Sequence, residues 1–249
     1  MEISEFVAVL DRDGKALAAA AEKAGTDAEV PTCPGWRVGD LLHHLGGVHR
    51  WAASFPATGR MEPYGDGEQA LFFDTVPDDA VVDWYRAGHA AAVQAFATGD
   101  PARPCWSFLP ASSPLAFWAR RQAHETAIHR TDVEAAVGTR PGWDPAFAAD
   151  GVDELLCGFY GRKGPRLYAD PPASLAVVAT DVDAAWVMKL WPDRRSVVHG
   201  REPADLTVSG PANALYLSLW NRTGDEGLDL QGDRRPLDIW RQRAKVRWA

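Results

Sequence analysis

No stretch of the 249-residue chain approaches the run of roughly 20 apolar residues needed to cross a bilayer, so a transmembrane protein is not expected. The N-terminus, MEISEFVAVLDRDGKA, starts acidic and has no continuous apolar core. It does not read as a secretory signal, and a cytoplasmic location is the default expectation. Long basic runs are also missing. The net charge is −8 and the isoelectric point about 5.3, which disfavours nucleic-acid binding, because neutralising phosphates drives that affinity. The basic clusters are short; one, Arg162, Lys163 and Arg166, sits beside Gly164-Pro165 and reads as a solvated linker. Cysteine is scarce: Cys33, Cys105 and Cys157 are odd in number and form no CxxC pair. A disulfide framework and a four-cysteine zinc site are therefore not expected, and each cysteine reads as a small packed residue rather than a nucleophile.

The chain does contain the makings of a core. Apolar residues are 46% and charged residues 24%, which suits a soluble globular protein, and 11 tryptophans supply large surfaces for a core or the lining of a pocket. The first half reads as helices over 3–24, 37–55, 79–97 and 114–137. Ser113-Pro114 looks like an N-cap followed by proline at the first helical position, and Gly138 is the stop. A shorter helix is expected over 145–159. Beyond Gly164-Pro165 the character changes. Strands are expected at 174–180, 184–191, 197–198, 204–209 and 228–231, with helices at 211–222 and 236–245. The boundary is placed near 160–172, giving a helical bundle over 1–165 and a small α+β domain over 166–249.

One segment carries unusual chemistry. In FWARRQAHETAIHRTD, residues 117–132, a rotation of about 100° per residue puts Arg121, Glu125, His129 and Asp132 on the face that also carries Phe117, Trp118 and Ile128. A buried carboxylate and imidazole need partners. Either Glu125 and His129, one turn apart, converge on a metal ion, or the face holds a buried Arg121–Glu125 or Glu125–His129 ion pair. The stretch is not HExxH. His124 and His129 are five apart and point about 140° away from each other, so they do not form the zincin pair.

The helix DLLHHLGGVHRWA, residues 40–52, offers another histidine. Leu41, Leu42, Leu45, Val48 and Ala52 form its apolar stripe. His44 lies at one edge and His49 at the other, while His43 points away. Spacing alone leaves His44 and His49 both open. A set of histidine, glutamate and histidine would leave zinc an open position, as catalytic rather than structural sites do.

The run PTCPGWRVGDLLHHLGGVHRW, the later HETAIHRTD, and TDVDAAW, SGPANALYLSLWNR and LQGD together resemble the mycothiol-dependent maleylpyruvate isomerase family of actinobacteria, over nearly the whole chain. The resemblance implies a two-domain α+β protein. Its first domain is a DinB-like metal-binding four-helix bundle, its second a small sterol-carrier-like α+β unit. It places the ligand histidine eight residues beyond the tryptophan of PGW, which is His44, and matches the Glu-x-x-x-His pair to Glu125 and His129. It also implies Arg222, at the end of LWNR, as an active-site residue; a surface arginine near a helix C-terminus is the competing reading. One departure is local: Arg37 stands after PGW, where a threonine cap is common.

The implied cofactor is a divalent metal, zinc first, with nickel, iron or manganese as alternatives. The implied cosubstrate is mycothiol, acting on a small-molecule electrophile. A metal lowers the pKa of a thiol. Addition, bond rotation and expulsion then isomerise a double bond, and attack without expulsion is S-transfer. The competing expectations are a non-catalytic metal-binding stress-response protein, a ligand-binding module, and a helical core with a buried ion pair and no metal.

Overall fold

A computed structural model describes residues 1–73, 76–162 and 167–244. The chain forms two compact units, Met1–Pro141 and Gly142–Ala249. The division falls ahead of the expected 160–172. The helix Pro145–Asp153 packs on the helix Ala212–Leu219 within the second unit. The 163–166 part of the expected linker lies outside the described residues.

The first unit is built on four long helices: α1 (Ile3–Ala24), α2 (Val38–Thr58), α4 (Val81–Thr98) and α5 (Pro114–Ala136), with a short α3 (Asp66–Ala70) between α2 and α4. Helix α5 starts as its sequence dictates. The Ser113 hydroxyl accepts from Ala116 N–H at 3.1 Å and Pro114 occupies the first turn, where its missing N–H costs nothing. Helix α2 starts without a threonine cap. The Asp40 carboxylate accepts from Arg37 N–H at 2.8 Å instead, and the Arg37 guanidinium reaches Asp27 at 2.9 Å.

Helix α1 packs against α4 and α5, and α2 against α4 and α5. Leu17, Leu41, Leu42, Leu45, Val81, Tyr85 and Val133 fill one part of the core. A second part is aromatic: Phe55 stacks on Trp118 with centroids 4.9 Å apart, and Trp51 and Trp106 meet them edge-on or tilted. Glycine lets α2 and α4 approach closely. A Cβ on Gly88 would lie 3.1 Å from the Gly46 carbonyl and 2.1 Å from Arg50 Nη1. Arg50 closes that crossing by donating to Gly46 O at 2.9 Å and Trp84 O at 2.7 Å.

The second unit opens with α6 (Pro145–Asp153), which runs directly into a π-helical turn, Glu154–Phe159. A five-stranded sheet follows: β1 (Ala173–Ala179), β2 (Ala185–Leu190), β3 (Arg195–His199), β4 (Leu206–Gly210) and β5 (Asp229–Gly232), in the order β3-β2-β1-β4-β5. The β1–β4 pair is parallel and the others antiparallel. Helices α7 (Ala212–Leu219) and α8 (Arg235–Arg243) both pack against β1 and β4. The architecture is thus the expected α+β layout of a helical unit followed by a sheet unit. Among the described residues no helix is long and apolar enough to cross a membrane.

Candidate metal centre

Helix α5 lies between α1 and α2, so it is buried on nearly every side. Its polar residues go inward with the apolar ones: Arg121, Gln122, His124, Glu125, Thr126, Thr131 and Asp132 are all buried. Glu125 and His129 project toward α2, where His44 faces them. One donor atom from each of His44, Glu125 and His129 lies within 4.8 Å of the other two. Glu125 Oε1 is 3.3 Å from His129 Nε2 and 3.7 Å from His44 Nε2, and the two imidazole centroids are 5.3 Å apart.

The two oxygens of Glu125 have different surroundings. Oε2 accepts from Arg121 Nη2 at 2.8 Å, a one-turn ion pair between buried groups. Oε1 is buried and makes no hydrogen bond of good geometry, although two imidazoles face it. The ion pair expected as the metal-free alternative therefore exists and satisfies only half of the carboxylate. Burial by itself would raise the Glu125 pKa. The imidazoles of His129 and His44 and the Arg121 charge outweigh it and hold the carboxyl well below its ordinary value.

His129 is held from behind. Its Nδ1 lies 2.9 Å from Asp132 Oδ2, and Thr32 donates to Asp132 Oδ1 at 2.5 Å. Burial opposes a charge on this ring, but the contacts with Asp132 and Glu125 raise its pKa to about 9. Asp132 fixes the ring through Nδ1 and leaves Nε2 turned to the cluster, the arrangement in which a carboxylate orients a ligating histidine.

The open side of the cluster is aromatic. Trp36 meets the His44 ring edge-on at 5.3 Å, Phe73 lies 6.4 Å away, and Trp36 is exposed. A Cβ on Gly47 would sit 2.3 Å from the Phe73 ring, so this glycine makes room for it.

The other histidines lie elsewhere. His49 is fully buried, pairs through Nε2 with Thr126 Oγ1 at 2.9 Å and packs against Tyr85 and His89. Burial first, and the neighbouring His89 second, keep it well below its ordinary pKa. It is a core histidine, so of the two left open by spacing it is His44 that joins Glu125 and His129. His43 is half-buried against Trp84 rather than solvated, and His124 is buried beside Phe6. Thr32 was missed by sequence reasoning, and Asp132 was placed on the right face without a role. Thr32 sits in a loop, where periodicity says nothing, and its partner is 100 residues away.

Arg222 belongs to the second unit, just past α7. Its N–H donates to Leu217 O at 2.9 Å and its guanidinium to Trp220 O at 3.0 Å, while Asn221 takes a left-handed conformation with φ 57°. Its main chain thus helps to close the helix end.

Two family profiles cover most of the chain. The mycothiol maleylpyruvate isomerase N-terminal domain matches residues 7–134, and the MDMPI C-terminal domain matches residues 146–238. The chain belongs to this family. Both matched segments lie within the two compact units, one in each. Among solved structures, the fold is shared with a mycothiol-dependent maleylpyruvate isomerase at 14% identity and a TM-score of 0.61, with 93% of each chain covered. A histidine-to-alanine variant of a mycothiol-dependent maleylpyruvate isomerase aligns equally well, at 14% identity, a TM-score of 0.61 and 93% coverage of both chains. No curated protein matches at a significant level.

Proposed function

We propose that His44, Glu125 and His129 hold one divalent metal ion, zinc first, and that the protein uses it to activate mycothiol for attack on a small electrophile. The observation that carries this reading is Glu125 Oε1, a buried carboxylate oxygen that makes no hydrogen bond and faces two imidazole nitrogens. Nitrogen and carboxylate donors suit zinc and also nickel, iron or manganese. A bound ion would supply a lowered pKa to a coordinated thiol, so that thiolate forms near neutral pH.

The remaining work falls to the chain itself. Arg121 fixes Oε2, so the other oxygen points to the cluster. Asp132, steadied by Thr32, keeps His129 Nε2 turned inward. Trp36 and Phe73 flank His44 on the accessible side and offer apolar surface to a thiol's carbon skeleton. Arg222 is proposed to act on substrate, since a guanidinium matches a carboxylate.

Thiolate addition to a conjugated cis double bond leaves a single bond that rotates. Expulsion of the same thiolate then restores the double bond as trans, so no atom is gained or lost. Isomerisation of maleylpyruvate, the reaction that names the family, is the first activity to assay; in S-transfer the thiolate stays and the proton given up by the thiol ends on the neighbouring substrate carbon. The test is turnover of maleylpyruvate by protein stripped with a chelator, with zinc and mycothiol restored separately and together. Isomerisation requiring both supports the proposal. Turnover without either one overturns it, and metal binding without turnover of maleylpyruvate or generic electrophiles favours the non-catalytic reading.

A further inference from the structure

The second unit contains another convergent cluster, unrelated to His44, Glu125 and His129. Asp153 is the last residue of α6, Cys157 lies one turn on in the π-helical turn, and His199 ends the edge strand β3. Single donor atoms from these three residues also lie within 4.8 Å of one another. His199 Nε2 is 2.5 Å from Asp153 Oδ1 and 3.7 Å from Cys157 Sγ. We propose that Asp153, Cys157 and His199 form a second divalent-metal site of the zinc class, with carboxylate oxygen, thiolate sulfur and imidazole nitrogen as ligands.

All three residues sit on regular elements of the second unit. His199 is paired directly with Trp186 across β2 and β3, so their side chains rise from the same face of the sheet. Both reach the same atom: Trp186 Nε1 donates to Asp153 Oδ1 at 3.0 Å, and His199 Nε2 lies against that oxygen. A tryptophan N–H on a ligating carboxylate oxygen is the kind of outer contact that orients metal ligands. The π-helical turn is a locally widened helix of the sort that recurs at functional sites. Here it carries Cys157 beside the same point.

The same geometry argues against a nucleophilic triad. In a cysteine–histidine–aspartate relay the imidazole uses one nitrogen for the thiol and the other for the carboxylate. In this protein Nε2 alone faces both groups. A carboxylate oxygen, a sulfur and a ring nitrogen thus converge on one point, each able to ligate a cation once the ring and the thiol give up their protons. Sulfur, nitrogen and oxygen donors select a borderline metal such as zinc, and three protein ligands leave a position for water on the exposed side, where His199 is largely open to solvent. On binding, the Cys157 thiol gives its proton to the buffer and the sulfur lone pair to the metal.

Cobalt(II) tests this directly, because a thiolate ligand produces a sulfur-to-cobalt charge-transfer absorption and the His44, Glu125 and His129 set contains no sulfur. Full-length, chelator-stripped protein is titrated with cobalt(II). The expected result is charge-transfer absorption that saturates by two bound equivalents in the unaltered protein, and with one in H44A. It disappears in C157S and in H199Q, an exposed change that leaves packing alone. It persists in C33S and in H44A. Absence of the band in the unaltered protein, or its persistence in C157S or H199Q, overturns the proposal. H44A keeps the two sites separable: failure of the first-site reading leaves this band unchanged.

Discussion

Asp132 holds His129 by Nδ1 and so decides where Nε2 points. Removing its charge in D132N should weaken metal binding by about 10–100-fold while the three ligands stay in place. A competition titration against a chelator measures this. T32V removes only the donor to Asp132 and should have a smaller effect in the same direction. H43A should leave metal content unchanged, because His43 packs against Trp84 and not in the cluster. Its loss of metal would mean that the ligand set is wrong. R222K should lower turnover and leave metal content alone, and an R222K protein with full activity would reduce Arg222 to its helix-closing role. The residue scale is also where sequence reading had least to work with. The α5 wheel put Glu125, His129 and Asp132 on one face, but it could not say that Arg121 takes one Glu125 oxygen and leaves the other. Spacing left His44 and His49 both open and the family resemblance pointed to His44; the neighbours Thr126, Tyr85 and His89 are what mark His49 as core.

At the scale of elements, local rules worked where they had a local cause. Ser113-Pro114 marks the start of α5 because both residues act within a single turn. Strands β1, β2 and β4 were legible from short apolar, partly β-branched runs, whereas β5, DLQG, carries no such signal. Helix α3 and the π-helical turn were not legible, because neither rests on periodicity. A change from helical to strand composition does not by itself reveal which compact unit a helix belongs to, so the boundary was the least legible feature at this scale. Substitutions should follow these causes. S113A loses the cap of α5 and should cost about 1 kcal/mol of stability in denaturant unfolding. G88A forces a methyl group against Arg50 and the Gly46 carbonyl at the α2–α4 crossing and should cost about 1–3 kcal/mol. A neutral G88A would mean that the two helices have room to separate.

For the whole molecule, metal and fold are linked by mass action. An ion that binds the folded protein and not the unfolded chain adds about 2.7 kcal/mol at a hundredfold excess over its Kd. Chelation should therefore lower Tm, and zinc should restore it. In H129A, which lacks one ligand of the bundle site, the zinc-dependent part of the shift should shrink. An equal shift in both proteins would detach stability from this centre. The central claim is the position of the ion, and anomalous scattering at the zinc edge from crystals of zinc-loaded protein tests it most directly. The account predicts a peak about 2.0–2.2 Å from His44 Nε2, Glu125 Oε1 and His129 Nε2. Zinc-loaded crystals with no peak between these three side chains would contradict it.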